Sequence, residues 1–260
     1  MRNTRKATLV SIAGFDPTGG AGVLLDAAVF AWLGFRSAGV VSALTAQNAD
    51  RVSAVQVVPA SFLKKQYGAM RSDTTPAGIK VGMLGSAANL AETARILGRE
   101  SGIPRVVDPV LRSSSGRALL EKTAWPFFLK KFKGRMTLIT PNLDEAAQLS
   151  GLRVRDKSAM REAARIIGGQ AECACLLKGG HLEAETLDIL WDGRTFEEYG
   201  HEKIPGDAHG TGCFLSSAVL GYLARGETLP AACRKGISLT QTAIRTARRP
   251  LDTTRRSFLL

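Results

Sequence analysis

Asp207-Ala208-His209-Gly210-Thr211-Gly212-Cys213-Phe214-Leu215-Ser216-Ser217-Ala218 runs a Gly-Thr-Gly-Cys turn directly into an apolar helix. Small residues let backbone N–H groups approach an anion closely, and a helix start presents unpaired amides and the positive end of its dipole. The stretch reads either as a phosphate site or as a tight loop capping a core helix. Cys213 opens the helix, where a thiol is expected to have a lowered pKa and to serve as a base or an anion-stabilising group.

Upstream, Ser11-Ile12-Ala13-Gly14-Phe15-Asp16-Pro17-Thr18-Gly19-Gly20-Ala21-Gly22-Val23-Leu24-Leu25-Asp26 repeats the strand, glycine-rich loop, helix arrangement. Apolar runs at Thr8–Ala13, Ser37–Ala43, Gly78–Val81, Arg105–Val107, Thr137–Thr140 and Cys173–Leu177 are predicted strands, each followed by turn residues and an amphipathic stretch. That alternation is the pattern of βαβ units. Continuous rather than alternating apolar runs imply burial on both faces, hence a mostly parallel central sheet between helical layers. Ligands of such sheets bind beyond the carboxyl ends of the strands, where these loops fall. Leu187–Trp191 and Thr195–Tyr199, around Asp192-Gly193, read as a separate hairpin at an edge.

The 260 residues, 45% hydrophobic, suffice for one α/β domain over residues 1–260, without repeats or a linker. Met1–Lys6 is basic like a signal n-region, but Gly14, Asp16 and Pro17 break the apolar run behind it, so a cytoplasmic chain is expected. No run approaches the roughly 18 apolar residues of a membrane span. Lysine plus arginine (35) exceeds aspartate plus glutamate (23), giving +12, which suits an anionic partner such as ATP. The charge is spread, densest in Arg245–Arg256, and no nucleic-acid-binding motif accompanies it, so a solvated surface is expected instead. The four cysteines lack metal spacing; Cys173 and Cys175 share a sheet face and read as core thiols.

Asn142 and Glu145 follow Pro141 at i, i+3 spacing, on one face of a helix start. Acids there complement the helix dipole, the role expected of Asp144. Lys178 ends an apolar strand before two glycines, so its ammonium emerges at the strand's carboxyl end. His209 and His181 read as loop residues.

Together with Thr45-Ala46-Gln47-Asn48, Val81-Gly82-Met83-Leu84, Val107-Asp108-Pro109-Val110, Thr140-Pro141-Asn142-Leu143-Asp144-Glu145-Ala146 and Leu177-Lys178-Gly179-Gly180-His181, these segments resemble the hydroxymethylpyrimidine and phosphomethylpyrimidine kinases of thiamine biosynthesis, of the ribokinase-like family. The matches keep family order from about Thr8 to the helix after Cys213. The resemblance implies a three-layer α/β/α sandwich with a mostly parallel central sheet, ATP as co-substrate and Mg²⁺. It implies a catalytic Cys213 in an anion hole made by Gly210, Thr211 and Gly212. Lys178 and Asn142 would bind ATP, and Glu145 with Asn142 would hold Mg²⁺ largely through water.

Gln47 would read an aminopyrimidine, whose exocyclic N–H donor and ring-nitrogen acceptor match a glutamine amide. Gly14, Asp26, Met83 and Val110 would complete that pocket. Homodimers are common in the family. Departures are Phe15, where serine is usual, an Arg112–Gly116 segment without the usual lysine, and a divergent C-terminus. Pyridoxal kinase is the alternative within the fold, and a catalytically weak pyrimidine- or nucleotide-binding regulator is the alternative outside enzymes.

Overall fold

The computed structural model describes residues 7–48, 50–113, 115–180, 186–202, 204 and 209–247. Asp207, Ala208, His181 and the arginines from 248 onward, all singled out from sequence, lie outside the described residues. The described strands form one nine-stranded sheet. They are β1 (Thr8–Phe15), β2 (Arg36–Gln47), β3 (Val52–Val57), β4 (Pro76–Val81), β5 (Arg105–Val107), β6 (Leu138–Ile139), β7 (Ala174–Lys178), β8 (Leu187–Trp191) and β9 (Phe196–Gly200). Their order is β3-β2-β1-β4-β5-β6-β7-β8-β9. From β2 across to β7 every pair is parallel, while β3, β8 and β9 add on antiparallel.

The side-chain period of two explains the layering. Val10 and Ile12 enter one apolar cluster and Leu9 the other; Val107, Ile139 and Cys175 likewise oppose Val106, Leu138 and Leu176. The first cluster is covered by α2 (Ala60–Asp73), α3 (Ala87–Arg99), α4 (Phe128–Phe132), α5 (Leu143–Ser150) and α6 (Lys157–Ala171). The second is covered by α1 (Gly22–Trp32), α7 (Thr211–Ala224) and α8 (Leu229–Thr246). The three-layer sandwich expected from the apolar runs is thus formed. Cys175 is buried in the first cluster and Cys173 packs against it, in line with core thiols on one face.

β1 lies between β2 and β4, so the chain leaves it in one direction through α1 and returns on its other side through α2. This reversal opens a crevice at the carboxyl ends of β1 and β4. β2 runs on to Gln47, beyond the predicted end at Ala43, and pairs with β3, which the sequence reading did not include. The reason is exposure: the β2–β3 ribbon is half solvated, so it lacks the continuous apolar run used to find the other strands. The predicted edge hairpin is an extension of the sheet through β7–β8, with β8 itself mostly buried. Its connection uses the Asp192 carboxylate, which accepts from the Arg194 and Thr195 amides at 2.8 and 2.7 Å.

A fully buried ion pair joins four elements. Lys80 in β4 donates to both oxygens of Asp26 in α1 at 2.8 and 2.9 Å, with neither side chain exposed. Ser11 of β1 and Ser217 of α7 donate to the same carboxylate at 2.5 and 2.8 Å. Lys80→Ala, which strands the carboxylate, should lower unfolding free energy by about 3–5 kcal/mol in denaturant titration. The double variant Lys80→Met/Asp26→Leu should lose clearly less than the sum of its single changes; strict additivity would show that the two charges do not depend on each other.

Candidate active site

The parallel strands deliver the predicted residues to one end of the sheet. Gly14 lies near the end of β1, Gln47 ends β2, Met83 follows β4, Asp108 and Val110 follow β5, Asn142 precedes α5, and Lys178 ends β7. Gly210–Cys213 opens α7 beside them. Gly210 has φ +80°, and a side chain there would collide with the Gly20 carbonyl oxygen. Gly22, at φ +61°, is equally pressed against the Gly14 carbonyl oxygen. The two glycine-rich loops therefore interlock, and only glycine fits both crossings.

Neither α1 nor α7 has a side-chain cap or an acid in its first turn, whereas α3, α5 and α6 are capped by Ser86, Asn142 and Asp156. Their first amides are left to face the site. The Gly22 N–H acts to lower the pKa of the Cys213 thiol, so both helix starts bear on that residue. Lys178 stands beside the turn: a side-chain carbon built on Gly212 would lie 3.0 Å from its Nζ. The ammonium pairs with Asp108 at 2.8 Å, and Thr140 donates to the same carboxylate oxygen at 3.2 Å. Burial works against the Lys178 charge, yet Asp108 and Glu145 raise its pKa, so it stays cationic.

Cys213 departs from expectation. A lowered pKa was expected at a helix start, but the thiol is pushed above its ordinary value of 9.0. Burial is the main cause, and Asp26 and Asp108 add to it against the opposing pull of Lys80 and the Gly22 N–H. The resting side chain is a thiol.

Asn142 and Glu145 form a reciprocal capping box. Asn142 Oδ1 accepts from the Glu145 amide at 2.8 Å, and the Asn142 amide donates to Glu145 Oε2 at 2.9 Å. Burial pushes the Glu145 carboxyl up to about 8, with Lys178 opposing and Asp108 reinforcing the shift. Among the described residues no group of three His, Cys, Asp or Glu side chains could by itself hold a metal ion.

Met83 and Gly14 are in contact, and Val110 packs with Met83 against Ala43 and Leu119, an apolar wall at the crevice. Asp26, expected to face that pocket, does not. It is fully buried, and its oxygens are taken by Ser11, Lys80 and Ser217, so it supports the site from beneath.

Three residues without an assigned role belong here as well. Asp108 signals itself as a charge at the end of an apolar strand, the same cue that marks Lys178. Lys80 gave only the weaker cue of a lysine inside an apolar strand. Asp16 is 2% exposed and joins the loops: it accepts from His209 Nε2 at 2.9 Å and from the Thr18 amide and hydroxyl at 2.9 and 2.8 Å. Burial pushes the Asp16 carboxyl up, but hydrogen bonds from His209, Gln47 and Thr18 outweigh it and hold the group below its ordinary value. His209, read as a loop residue, is thus a tie between the two glycine loops. A groove of about 460 Å³ between Trp125, Leu129, Gln148 and Gln170 includes none of these residues. Converging charge, not volume, marks the site.

The phosphomethylpyrimidine kinase family model matches residues 16–255. A hydroxymethylpyrimidine/phosphomethylpyrimidine kinase of Streptomyces coelicolor is 37% identical over 87% of this chain and 84% of its own length. The thiamine biosynthesis bifunctional protein ThiED of Geobacter sulfurreducens is 36% identical over 93% of this chain, which spans only 50% of that longer protein. Among solved structures, the phosphomethylpyrimidine kinase of Clostridium difficile superimposes with TM-score 0.81 at 33% identity, covering 92% of this chain and 100% of that one. The Staphylococcus aureus pyridoxal kinase in complex with AMP-PCP and pyridoxal gives TM-score 0.87 at 27% identity, covering 97% and 93%.

Because Cys213 is a protonated thiol at neutral pH, its alkylation by iodoacetamide should be slow near pH 7 and still rising beyond pH 9.0, its ordinary midpoint. Peptide mass analysis against Cys213→Ser checks this. A plateau reached below that pH would mean that the helix starts outweigh burial.

Proposed function

This chain belongs to the phosphomethylpyrimidine kinase family, and from that premise we propose that it transfers the γ-phosphoryl group of ATP to 4-amino-5-hydroxymethyl-2-methylpyrimidine and to its monophosphate, in thiamine biosynthesis. The protein is a phosphotransferase. The observation that carries the reading is the placement of the Lys178 ammonium beside Gly212 at the uncapped start of α7, across the sheet end from Gln47.

Phosphoryl transfer demands little covalent chemistry of a protein; it demands alignment of two oxygens and charge stabilisation on the moving group. Amides of Thr211, Gly212 and Cys213 and the Lys178 ammonium meet the second demand. The Asn142 side-chain oxygen is committed to the α5 cap, so its NH₂ group is left to donate to a phosphate oxygen. Asp108 and Glu145 are hard oxygen donors suited to Mg²⁺ held largely through water and nucleotide phosphates rather than in a protein cage, and the second lone pair of Asn142 Oδ1 can accept from a metal-bound water. Bound there, Mg²⁺ would neutralise phosphate charge. Cys213 lies where the acceptor hydroxyl would lose its proton. To accept that proton Cys213 must first release its own to solvent; in a loose transition state the hydroxyl proton is lost late, so a minor thiolate population formed beforehand suffices. Lys80 and the Gly22 N–H favour the thiolate if it forms.

At the acceptor end, Gln47 offers a donor and an acceptor to the aminopyrimidine edge, and Met83 and Val110 supply the apolar wall. The pyridoxal kinases are the competing reading because of their equally close fold, though at lower identity. Exposed positive charge is in part locally paired, as in Arg71–Glu100, Arg95–Glu92 and Arg165–Glu162, which supports a solvated surface rather than a nucleic-acid groove.

Product masses and specificity constants with ATP and each acceptor test the assignment. The hydroxymethylpyrimidine should exceed pyridoxal in kcat/KM by roughly two or more powers of ten, and Gln47→Leu should collapse that preference. A parent enzyme that prefers pyridoxal, with Gln47→Leu leaving the ranking intact, would overturn the substrate while sparing the kinase.

Glu145→Gln separates cap from metal. Glutamine keeps the capping box, so the loss in unfolding free energy should stay below the roughly 1 kcal/mol typical of losing a helix cap. The Mg²⁺ concentration for half-maximal rate should rise severalfold. An unchanged Mg²⁺ titration would assign Glu145 to the cap alone.

A further inference from the structure

β2 and β3 do not keep a single register at the end that carries Gln47. Gln47 faces Val52 while Ala46 faces Ala54, so Ser53 is an extra residue on β3, a bulge opposite the step from Ala46 to Gln47. A bulge of this kind bends its strand and re-aims the side chains beside it. The Ser53 hydroxyl donates to the Ala46 carbonyl at 2.7 Å, and the Ser53 carbonyl accepts from Arg117 Nη1 at 2.6 Å. Arg117 lies 64 residues further along the chain, in the segment that follows β5. Its own backbone is fixed: the Arg117 amide donates to Ser113 Oγ at 3.1 Å, and the Arg117 carbonyl accepts from the Ser113 amide at 2.8 Å. Around it, Arg112 pairs with Ala118, and the Leu119 amide donates to the Leu111 carbonyl at 2.9 Å.

This link joins two elements that border the acceptor end of the site. β1 ends opposite Leu44, so residues 45–47 of β2 run on beside β3, past the end of the first strand. Val110 and Leu119, from the segment after β5, pack with Met83, and Val52 and Val55 of β3 pack against the same cluster. Apolar packing of half-exposed valines is non-directional and leaves the ribbon free to slide over that wall. A hydrogen bond to the carbonyl of the bulge has a direction, and it fixes where the bulge stands.

We infer that Arg117 is a positioning residue for the acceptor: by holding the Ser53 carbonyl it sets the tip of the β2–β3 ribbon against the wall of Met83 and Val110, and so fixes how closely Gln47 approaches a ring bound there. This deepens the proposed function and rests on Gln47 reading the acceptor ring. Arg117 and Ser53 are both exposed, so replacing the guanidinium leaves the core intact. Its effect belongs to acceptor binding and not to the nucleotide, whose phosphates are assigned to Lys178 and the start of α7.

The test measures kcat and the KM of each substrate, with ATP and 4-amino-5-hydroxymethyl-2-methylpyrimidine, in the parent, Arg117→Met, Arg117→Lys, Gln47→Leu and Gln47→Leu/Arg117→Met. Methionine keeps an apolar stem without the donor, and lysine keeps a charged donor. Arg117→Met should raise the acceptor KM about tenfold, the scale of a hydrogen bond from a charged group, and leave the ATP KM within about twofold. Arg117→Lys should restore most of the loss. In the Gln47→Leu background, Arg117→Met should lower kcat/KM by less than about twofold, because the side chain it positions is gone. An unchanged acceptor KM, an equal rise in the ATP KM, or the full effect in the Gln47→Leu background would overturn the inference.

A second readout needs no turnover. Amide hydrogen exchange of β3, in protein without ligands, should be severalfold faster in Arg117→Met than in the parent, while β4 exchanges as before. Equal exchange of β3 would overturn the inference. Should Arg117→Met not fold, Arg117→Ser takes its place in both measurements. If the parent fails to phosphorylate the pyrimidine, the substrate reading fails instead, and β3 exchange still reports on the Arg117 link.

Discussion

The site depends on a cation that has no access to water. Removing an ammonium and a carboxylate from solvent costs several kcal/mol per ion, and their attraction offsets it only with good geometry and every remaining lone pair engaged. Lys80 and Asp26 meet that condition because Ser11 and Ser217 complete the carboxylate's shell. Each partner comes from a different element, so satisfying the pair fixes α1 and α7 against β1 and β4. The two helices locked in this way are the two whose bare N-termini bear on Cys213. Positioning of the Gly210–Cys213 turn is thus a consequence of burying one ion pair correctly.

The same pair sets the electrostatics above it. Burial, Asp26 and Asp108 favour the thiol of Cys213, and Lys80 resists them. Lys178 is paired with Asp108, which keeps a cation where phosphate charge would gather. Without nucleotide, positive groups are balanced by carboxylates already present, so an incoming phosphate exchanges partners instead of meeting an unpaired field. Preorganised charges of this kind need little rearrangement as the reaction proceeds.

Much of this was legible in the sequence where the determining signal is local. Continuous apolar runs marked the buried strands, and small-residue loops before apolar helices marked both helix starts. Lys178 was legible because a charge ending an apolar strand has one direction in which to emerge. The β2–β3 ribbon was not, since half-exposed strands lack that run. Asp26, assigned to the pocket by resemblance, and Cys213, judged by its place at a helix start, depart from expectation for one reason: the state of each is set by groups distant in sequence. Asp26 is 54 residues from Lys80 and 191 from Ser217. A dipole argument near a helix start accounts for at most about 2 kcal/mol and loses to desolvation beside two carboxylates.

Asp16 shows how far such non-local coupling extends into function. Its neighbours in sequence explain only the turn it makes with Thr18, an arrangement any loop aspartate could adopt. His209 lies 193 residues away, and Gln47 belongs to another strand. Burial by itself would raise the carboxyl's pKa and weaken it as an acceptor; three sets of donors reverse that, so the group stays ionised. An ionised, acceptor-only group at this point ties the first glycine loop to His209 of the second. The tie between the two glycine loops is therefore made by partners that no local motif announces, and only the tertiary fold brings them within reach.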